Sequence, residues 1–365
     1  MMEGVRVAYT LEQCWHRVPG GTASATIRLG QQLAQRNELT LLGVAGRHRR
    51  MPLPPWTPPV PTSHLPLASP WLYETWLRFG WPKVEMATGP VDVCHATTLI
   101  PCPSDAPLVV TIHDLAFLHD PSQFSKHGVR VFHDSLDAVR RRAELVLCCS
   151  QTTLDDCEQA GIARSRLRLV PWGVDTDQAD AATIARVRSA YRLPEQFVLF
   201  VGTLEPRKNL VRLAQALGRL DHPMPLVICG PPGWGTQPNE QIGSSTADVR
   251  FLGFVPEQNL AGLYAAATVF AYPSEREGFG LPILEAMAQA TAVVTSASTA
   301  TEETAGGAAV LVDPFDVDSI ADGISEAVDR RDALGELGRT RAAAMSWDTC
   351  ADLTVRAYRE LAGSL

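Results

Sequence analysis

Ser274-Glu275-Arg276-Glu277-Gly278-Phe279-Gly280-Leu281-Pro282-Ile283-Leu284-Glu285-Ala286-Met287 is the stretch around which this chain is organised. Gly278 and Gly280 permit a tight loop whose backbone amides stay uncovered, and Pro282 already has a helical φ, so a helix is expected to start near Leu281. The first N–H groups of a helix lack internal partners and carry the positive end of its dipole. That start is therefore an anion site suited to a phosphate-bearing ligand. Glu277 lies in the loop just ahead of it and Glu285 lies on the helix behind it. Phosphate repels carboxylates, so the pair is placed to accept hydrogen bonds from hydroxyls at either end of a ligand. A molecule with hydroxyls on both sides of a phosphate bridge is a nucleotide-sugar.

The stretch closes one strand of a series. Phe197–Val201, Leu226–Cys229, Val249–Leu252, Thr268–Tyr272, Ala292–Thr295 and Ala309–Val312 are short apolar runs, most of them separated by helical patterns. The first half of the chain repeats the plan with Val5–Thr10, Leu39–Val44, Val91–His95, Leu108–Ile112, Leu145–Cys148 and Leu167–Pro171. Six strands in each half, alternating with helices, predict an α/β protein of two doubly wound, Rossmann-like domains with right-handed crossovers, facing each other across a ligand cleft. A chain of 365 residues fits that plan. The polar, alanine-rich stretch Thr176 to Tyr191 reads as the hinge between the halves.

Three further places carry chemistry. Gly202-Thr203-Leu204-Glu205-Pro206-Arg207-Lys208-Asn209 follows the first strand of the second half and opens a helix, so Arg207 and Lys208 sit beside a second helix start. A guanidinium can grip a diphosphate bidentately and an ammonium can follow charge as it builds. Lys208 is one of three lysines, beside Lys83 and Lys126, in a chain whose other basic residues are arginine. In the first half Pro19-Gly20-Gly21 leads from the first strand into a helix, and His113-Asp114 ends the buried strand Leu108–Ile112 at a carboxyl edge where α/β ligands sit. The stretch Pro52 to Pro82, rich in proline and tryptophan, reads as an extended loop ending in a short helix around Leu72 to Phe79. Aromatic loops of that kind form acceptor pockets or staple themselves to their domain.

Composition narrows the partners. A net charge of -8 and a pI near 5.6 argue against nucleic acid. The eight cysteines fall in apolar runs such as Leu145–Cys149 and read as reduced, buried residues, and no cysteine and histidine cluster has zinc spacing, so no metal site is expected. No signal-peptide core opens the chain and no apolar run is long enough to span a bilayer, so a cytoplasmic protein is expected. Val129 to Glu144 reads as a helix carrying Arg130, Arg140, Arg141 and Arg142. Such a run is ordinarily a solvated face, and its other reading is a peripheral contact with the anionic inner face of a membrane.

The spacing of Glu277 and Glu285 around Gly278-Phe279-Gly280 resembles the paired-glutamate signature of the retaining glycosyltransferases of family 4, which have the GT-B fold. The resemblance extends from Gly20 to Trp347. It implies that Glu277 meets the donor sugar, Glu285 the ribose, and Arg207 and Lys208 the diphosphate, helped by the amides of Gly278 to Leu281. It also implies that Gly20 and Gly21 lie beneath the donor phosphates and the acceptor. His113, with Asp114 beside it, would contact the donor sugar or the acceptor. The turn Gly253-Phe254-Val255 would bind the nucleobase through its backbone.

Residues 1–175 would then bind the acceptor, residues 176–345 the nucleotide-sugar, and residues 346–365 would form a helix returning to the first domain. The reaction implied is metal-independent transfer of a hexose from a nucleoside-diphosphate sugar, a co-substrate and not a cofactor, to a hydroxyl of a glycan, glycolipid or secondary metabolite. The Glu205-to-Asn209 run leans toward mannose-type donors. A nucleotide-sugar epimerase of the same fold and a catalytically silent nucleotide-sugar-binding protein are the alternatives.

Overall fold

A computed structural model describes residues 4–16, 19–231, 242 and 247–363. The chain divides into two compact units, Met1–Trp172 with Trp347–Leu365, and Gly173–Ser346.

The first unit is built on seven parallel strands, β1 (Val5–Thr10), β2 (Leu39–Ala45), β3 (Thr62–His64), β4 (Val93–Ala96), β5 (Leu108–Ile112), β6 (Leu145–Cys148) and β7 (Leu167–Leu169). Their order across the sheet is β3-β2-β1-β4-β5-β6-β7. β4, β5 and β6 are buried along their whole length, as the unbroken apolar runs require of parallel strands covered by helices on both faces. The sequence predicts six strands here, and the seventh, β3, comes from the proline-rich stretch. Prolines bar a central strand, but an edge strand pairs on one side only. Thr62 to His64, lying between Pro61 and Pro66, register with Gly43 to Ala45 of β2 at that edge. The same stretch ends in the helix Trp71–Phe79, which buries Leu72 and Trp76 and stops at left-handed Gly80.

The C-terminal helix Trp347–Ala362 belongs to this first unit. Tyr358 hydrogen-bonds Nδ1 of His95 at 2.7 Å, Arg36 pairs with Asp348 at 2.5 Å and with Asp352 at 3.0 Å, and Arg168 pairs with Glu360. The basic helix spans Lys126–Arg142, and most of its cations serve the fold. Arg130 pairs with Glu74 and Asp134, Arg140 with Asp137 and the Ala160 carbonyl, and Arg142 donates to the Cys102 carbonyl.

The second unit has six parallel strands, β8 (Val198–Val201), β9 (Leu226–Cys229), β10 (Val249–Gly253), β11 (Val269–Tyr272), β12 (Ala292–Ser296) and β13 (Val310–Val312), ordered β10-β9-β8-β11-β12-β13. The order reverses between β8 and β11. At such a switch point the loops leaving neighbouring strands diverge, and a crevice opens at the carboxyl ends. Thr176 to Tyr191, expected as a hinge, holds the helix Ala181–Ala190, capped by the Asp180 carboxylate on the Thr183 N–H at 2.7 Å. Its Val187 and Thr183 face the helix Glu257–Ala266, where a Cβ on Gly262 would come within 2.9 Å of Val187. No helix among the described residues is long and apolar enough to cross a membrane.

Candidate active site

β8 and β11 are neighbours, so the chain leaving each is delivered to the same place. After β8, Pro206–Lys208 forms one 3-10 turn, and Asn209 follows in the left-handed region at φ 61. Asparagine tolerates that conformation, and its amide nitrogen donates to the carbonyls of Pro273 at 3.0 Å and Pro314 at 2.5 Å. The resulting reversal turns Lys208 inward, where 6% of its surface is exposed. Its Nζ donates to the Tyr272 hydroxyl and to Glu277 Oε1, both at 2.5 Å. Arg207 Nη1 meets Glu277 Oε2 at 2.9 Å and donates to the Arg276 carbonyl at 3.0 Å, while its Nε donates to Glu205 at 2.9 Å.

Two carboxylates thus hold two cations in a buried cluster. Burial pushes the Glu277 carboxyl up, but Arg207 and Lys208 outweigh it and hold the group down at about 2. Burial, and then Arg207 beside it, lower the Lys208 ammonium against the pull of Glu277. Burial raises the Glu205 carboxyl against the pull of Arg207 and Lys208.

Beyond Glu277 the loop passes through Gly280, at φ 99, into the helix Leu281–Ala288, with Pro282 in its first turn and no side chain capping it. Phe279 is buried and its carbonyl accepts from Thr304 at 2.6 Å, fixing the loop from behind. Glu285 accepts a hydrogen bond from the Tyr264 hydroxyl at 2.6 Å. Beside it, at the carboxyl ends of β9 and β10, Gly230 N–H donates to Gly253 O at 2.9 Å, and the chain turns at Gly253 to expose Phe254 and bury Val255.

The first unit carries the remaining predicted residues. Gly20 and Gly21 begin the helix Gly20–Leu33, and a Cβ at either would meet nothing within 4 Å, so their outer side is open. His113 stands at the end of β5, its ring 5.2 Å from that of Trp172. Its Nε2 lies 2.8 Å from the Thr97 carbonyl. A carbonyl only accepts, so Nε2 carries the proton. Burial lowers the imidazole pKa, opposed by the Thr97 carbonyl and Asp114, and the ring stays neutral. Nδ1 is then a lone pair, buried and without a hydrogen-bond partner among the described residues. One oxygen of Asp114 accepts from the Ala116 N–H at 3.0 Å.

Two family descriptions match the chain in turn, Glycosyltransferase Family 4 over residues 19–178 and Glycosyl transferases group 1 over residues 183–341. The chain is 35% identical over 274 residues to the O-antigen chain mannosyltransferase B of Escherichia coli, a match covering 69% of this chain and 70% of that protein. The chain belongs to glycosyltransferase family 4. This glycosyltransferase is also 34% identical over 209 residues to the D-inositol 3-phosphate glycosyltransferase of Mycolicibacterium smegmatis, covering 53% of its own length and 48% of that protein's. Its fold is GT-B. It superposes on Anabaena HepE, solved in complex with UDP and glucose, with a TM-score of 0.75 at 20% identity, over 97% of this chain and 99% of that one.

Sequence reasoning about the glycosyltransferase placed Arg207, Lys208 and Glu277 near one another but missed their partners. Tyr272 and Glu205 complete the cluster. The signal for Tyr272 was a polar tip ending the buried strand β11, directly before the glutamate loop. Glu205 lay in the quoted motif without a role. In the first unit a buried relay was missed, in which Gln13 donates to Thr26 at 2.8 Å and to Thr97 at 2.6 Å, and Thr97 Oγ1 donates to the Thr10 carbonyl at 2.6 Å. It fixes the carbonyl that His113 uses. Among the described residues no group of three His, Cys, Asp or Glu side chains is arranged to hold a metal ion.

Proposed function

We propose that this enzyme is a retaining, metal-independent hexosyltransferase that moves a mannose-type sugar from a nucleoside-diphosphate donor to a hydroxyl of a glycan, glycolipid or small-molecule acceptor. The observation that carries the reading is the Arg207–Lys208–Glu277 cluster beside the uncapped start of the helix Leu281–Ala288. When a glycosyl bond to a diphosphate breaks, negative charge builds on the leaving oxygens. Two fixed cations and a helix start can stabilise that charge where a divalent ion would otherwise serve. The relatives named as mannosyltransferases support the sugar type, and the UDP and glucose complex of HepE supports the donor class.

In this reading Arg207 and Lys208 bind the diphosphate, and Glu285 with Tyr264 holds the ribose. Phe254 and Val255 take the base, and Gly20 and Gly21 leave room for the phosphates and the acceptor. Both oxygens of Glu277 are engaged by cations and the group is held at low basicity, which makes it a poor covalent nucleophile. Attack from the leaving-group side, with a diphosphate oxygen taking the acceptor proton, is the step that needs no further base. Glu277 then orients the cations and the adjoining sugar, and Nδ1 of His113 accepts from a sugar or acceptor hydroxyl.

The test is a panel of GDP-, UDP-, dTDP- and ADP-sugars followed by thermal shift, and by NMR of products with methyl α-mannoside as acceptor. One donor should raise the melting temperature and give an α-linked product in the presence of EDTA. A β-linked product overturns retention, loss of turnover in EDTA overturns metal independence, and a donor isomerised without acceptor would make the protein an epimerase.

A further inference from the structure

We propose that Glu205 is a positioning residue that holds Arg207 until the donor arrives and then takes up a proton from solvent, so that binding of the diphosphate is coupled to proton uptake. That step rests on the reading above, in which Arg207 and Lys208 meet the diphosphate, and it concerns a buried carboxylate that the reading leaves unused.

The cluster that follows β8 and β11 is balanced without a ligand. Arg207 and Lys208 are its cations, and Glu205 and Glu277 are its anions. Glu205 is 5% exposed, and an ionised carboxylate is buried that deeply only where a cation compensates it. The two carboxylates are compensated unequally. Glu277 has Lys208 Nζ at 2.5 Å on one oxygen and Arg207 Nη1 at 2.9 Å on the other. Among the described residues the Glu205 carboxylate has the Arg207 Nε–H alone, at 2.9 Å.

A nucleoside-diphosphate sugar adds one negative charge on each phosphate. To pair with Arg207 it must come onto the same guanidinium, a planar fork whose N–H groups lie only a few ångströms apart. The diphosphate and Glu205 then draw on one cation, and like charges that close favour the neutral form of the carboxyl that is held least. Burial would raise Glu277, but its two cations hold it at about 2, and it stays ionised. Burial has already raised Glu205 against the pull of Arg207 and Lys208, and the Glu277 charge adds to the rise. The proton therefore goes to Glu205. The other groups facing it are Tyr272, whose hydroxyl burial pushes up and keeps protonated, and Lys208, whose ammonium burial lowers. A protonated Glu205 is neutral, so the guanidinium passes to the diphosphate without stranding a buried charge. When the nucleoside diphosphate leaves, the carboxyl returns its proton to solvent and takes Arg207 back. The sign follows from linkage. A site that gains a proton with its ligand loses affinity as pH rises, through the window between the ligand-free and ligand-bound pKa of Glu205, both above its ordinary 4.5.

The experiment is titration calorimetry of the full chain with GDP-mannose, UDP-glucose, dTDP-glucose and ADP-glucose from about pH 5 to about pH 8, each in paired buffers of unequal protonation heat, whose difference in observed heat counts protons. Nucleotide-sugars are used because their diphosphate has no proton to gain in this range, whereas the terminal phosphate of a free nucleoside diphosphate titrates near about pH 6. The donor that binds should bring with it roughly half a proton to one proton within the range, and its affinity should fall by up to about 10-fold per pH unit where the uptake is complete. Glutamine has the shape of a protonated glutamate and cannot titrate. Glu205→Gln should therefore bind the same donor without uptake, with an affinity independent of pH and equal to that of wild type at the acid end. Near about pH 8 it should bind more tightly than wild type, by the factor that wild type loses across the range. A donor that binds wild type with no uptake anywhere in the range overturns the coupling and leaves the diphosphate reading standing, a result that holds even should the variant not fold. Uptake that survives in Glu205→Gln would put the proton on Lys208 or elsewhere and overturn the assignment to Glu205. Binding of none of the four donors would overturn the diphosphate reading and the coupling together.

Discussion

Lys208 Nζ lies 2.5 Å from Glu277 Oε1, so the cation that follows β8 is held by the loop that follows β11. The contact joins the two sides of the switch point and sets the ammonium before any ligand is present. The Tyr272 hydroxyl takes a second proton of the ammonium, leaving the third without a partner among the described residues. Such preorganisation is what makes a charge effective in catalysis, because nothing must reorient while the leaving group departs.

Replacing Lys208 with Met keeps most of the side-chain volume and removes the charge. Arg207 still neutralises Glu277, so the fold should survive. Turnover should fall about 100- to 1000-fold, the loss typical of removing a preorganised donor to a developing anion. Lys208→Arg should not restore it, because a planar guanidinium cannot replace a compact ammonium wedged between Tyr272 and Glu277. Steady-state kinetics of the two variants decide the point, and near-normal kcat in Lys208→Met removes the lysine from the mechanism.

Glu277→Gln has a different signature. It leaves the Lys208 ammonium buried without its ionic partner and Arg207 with Glu205 alone, and breaking a buried pair from one side costs about 3–5 kcal/mol. The Glu277→Gln/Lys208→Met double variant removes the stranded ammonium, so its loss should be smaller than the sum of the single losses by about 0.5–3 kcal/mol. Urea unfolding of the four proteins measures the coupling, and strict additivity would deny that the contact carries energy.

Acid should unsettle the first unit before it reaches the second. Burial, with His113 nearby, lowers His95 to about 3, and its two nitrogens face the hydroxyls of Tyr358 and Thr111. A histidine depressed in the fold stays neutral there while the unfolded chain takes up a proton, so its contribution is intact above about pH 6.5 and is lost as pH falls toward about 3. His113, also depressed, adds in the same direction. Glu277, depressed from 4.5 to about 2, contributes fully above about 4.5 and loses its share only through about 2. Between pH 7 and pH 5 the denaturation midpoint should drop, His95→Asn should flatten the drop, and Glu277→Gln should leave its slope unchanged. A slope insensitive to His95→Asn contradicts this assignment.

What the sequence revealed and what it hid follow from range. The strand and helix alternation is written in local periodicity, and Gly278, Gly280 and Pro282 act within a few bonds of their own positions, so the fold and the loop could be read directly. The pairing of Lys208 with Glu277 spans 69 residues and depends on β8 lying next to β11, an adjacency that sheet topology alone decides. Composition was silent on pairing. The stretch read as a hinge also holds a helix whose Val187 and Thr183 meet Gly262, and the arginines of the Lys126–Arg142 helix find Glu74, Asp137 and backbone carbonyls, partners that no local pattern specifies. The unpartnered Nδ1 of His113 could not be foreseen, since it follows from where the Thr97 carbonyl happens to lie.

Gly230 shows how tightly the carboxyl ends of the second sheet are drawn together. Its φ is 150, and a Cβ added there would lie 1.9 Å from the carbonyl oxygen of Gly202, which is backbone and cannot swing aside. Gly202 N–H donates to the Cys229 carbonyl at 2.9 Å, so β8 and β9 are pinned where the chain departs toward Arg207 and Lys208. An alanine at 230 must push these strand ends apart, with an overpacking cost of about 1–3 kcal/mol or more. Gly253→Ala provides the comparison. Gly253 has a positive φ of 67 but open space around a would-be Cβ, so its cost is the left-handed conformation alone, roughly 1–2 kcal/mol. Gly230→Ala should therefore lower the melting temperature further than Gly253→Ala and should weaken the thermal shift given by the donor nucleotide, because the displaced segment carries the cation pair. Equal melting temperatures for the two variants would show that the Gly202 to Gly230 approach can relax without loss.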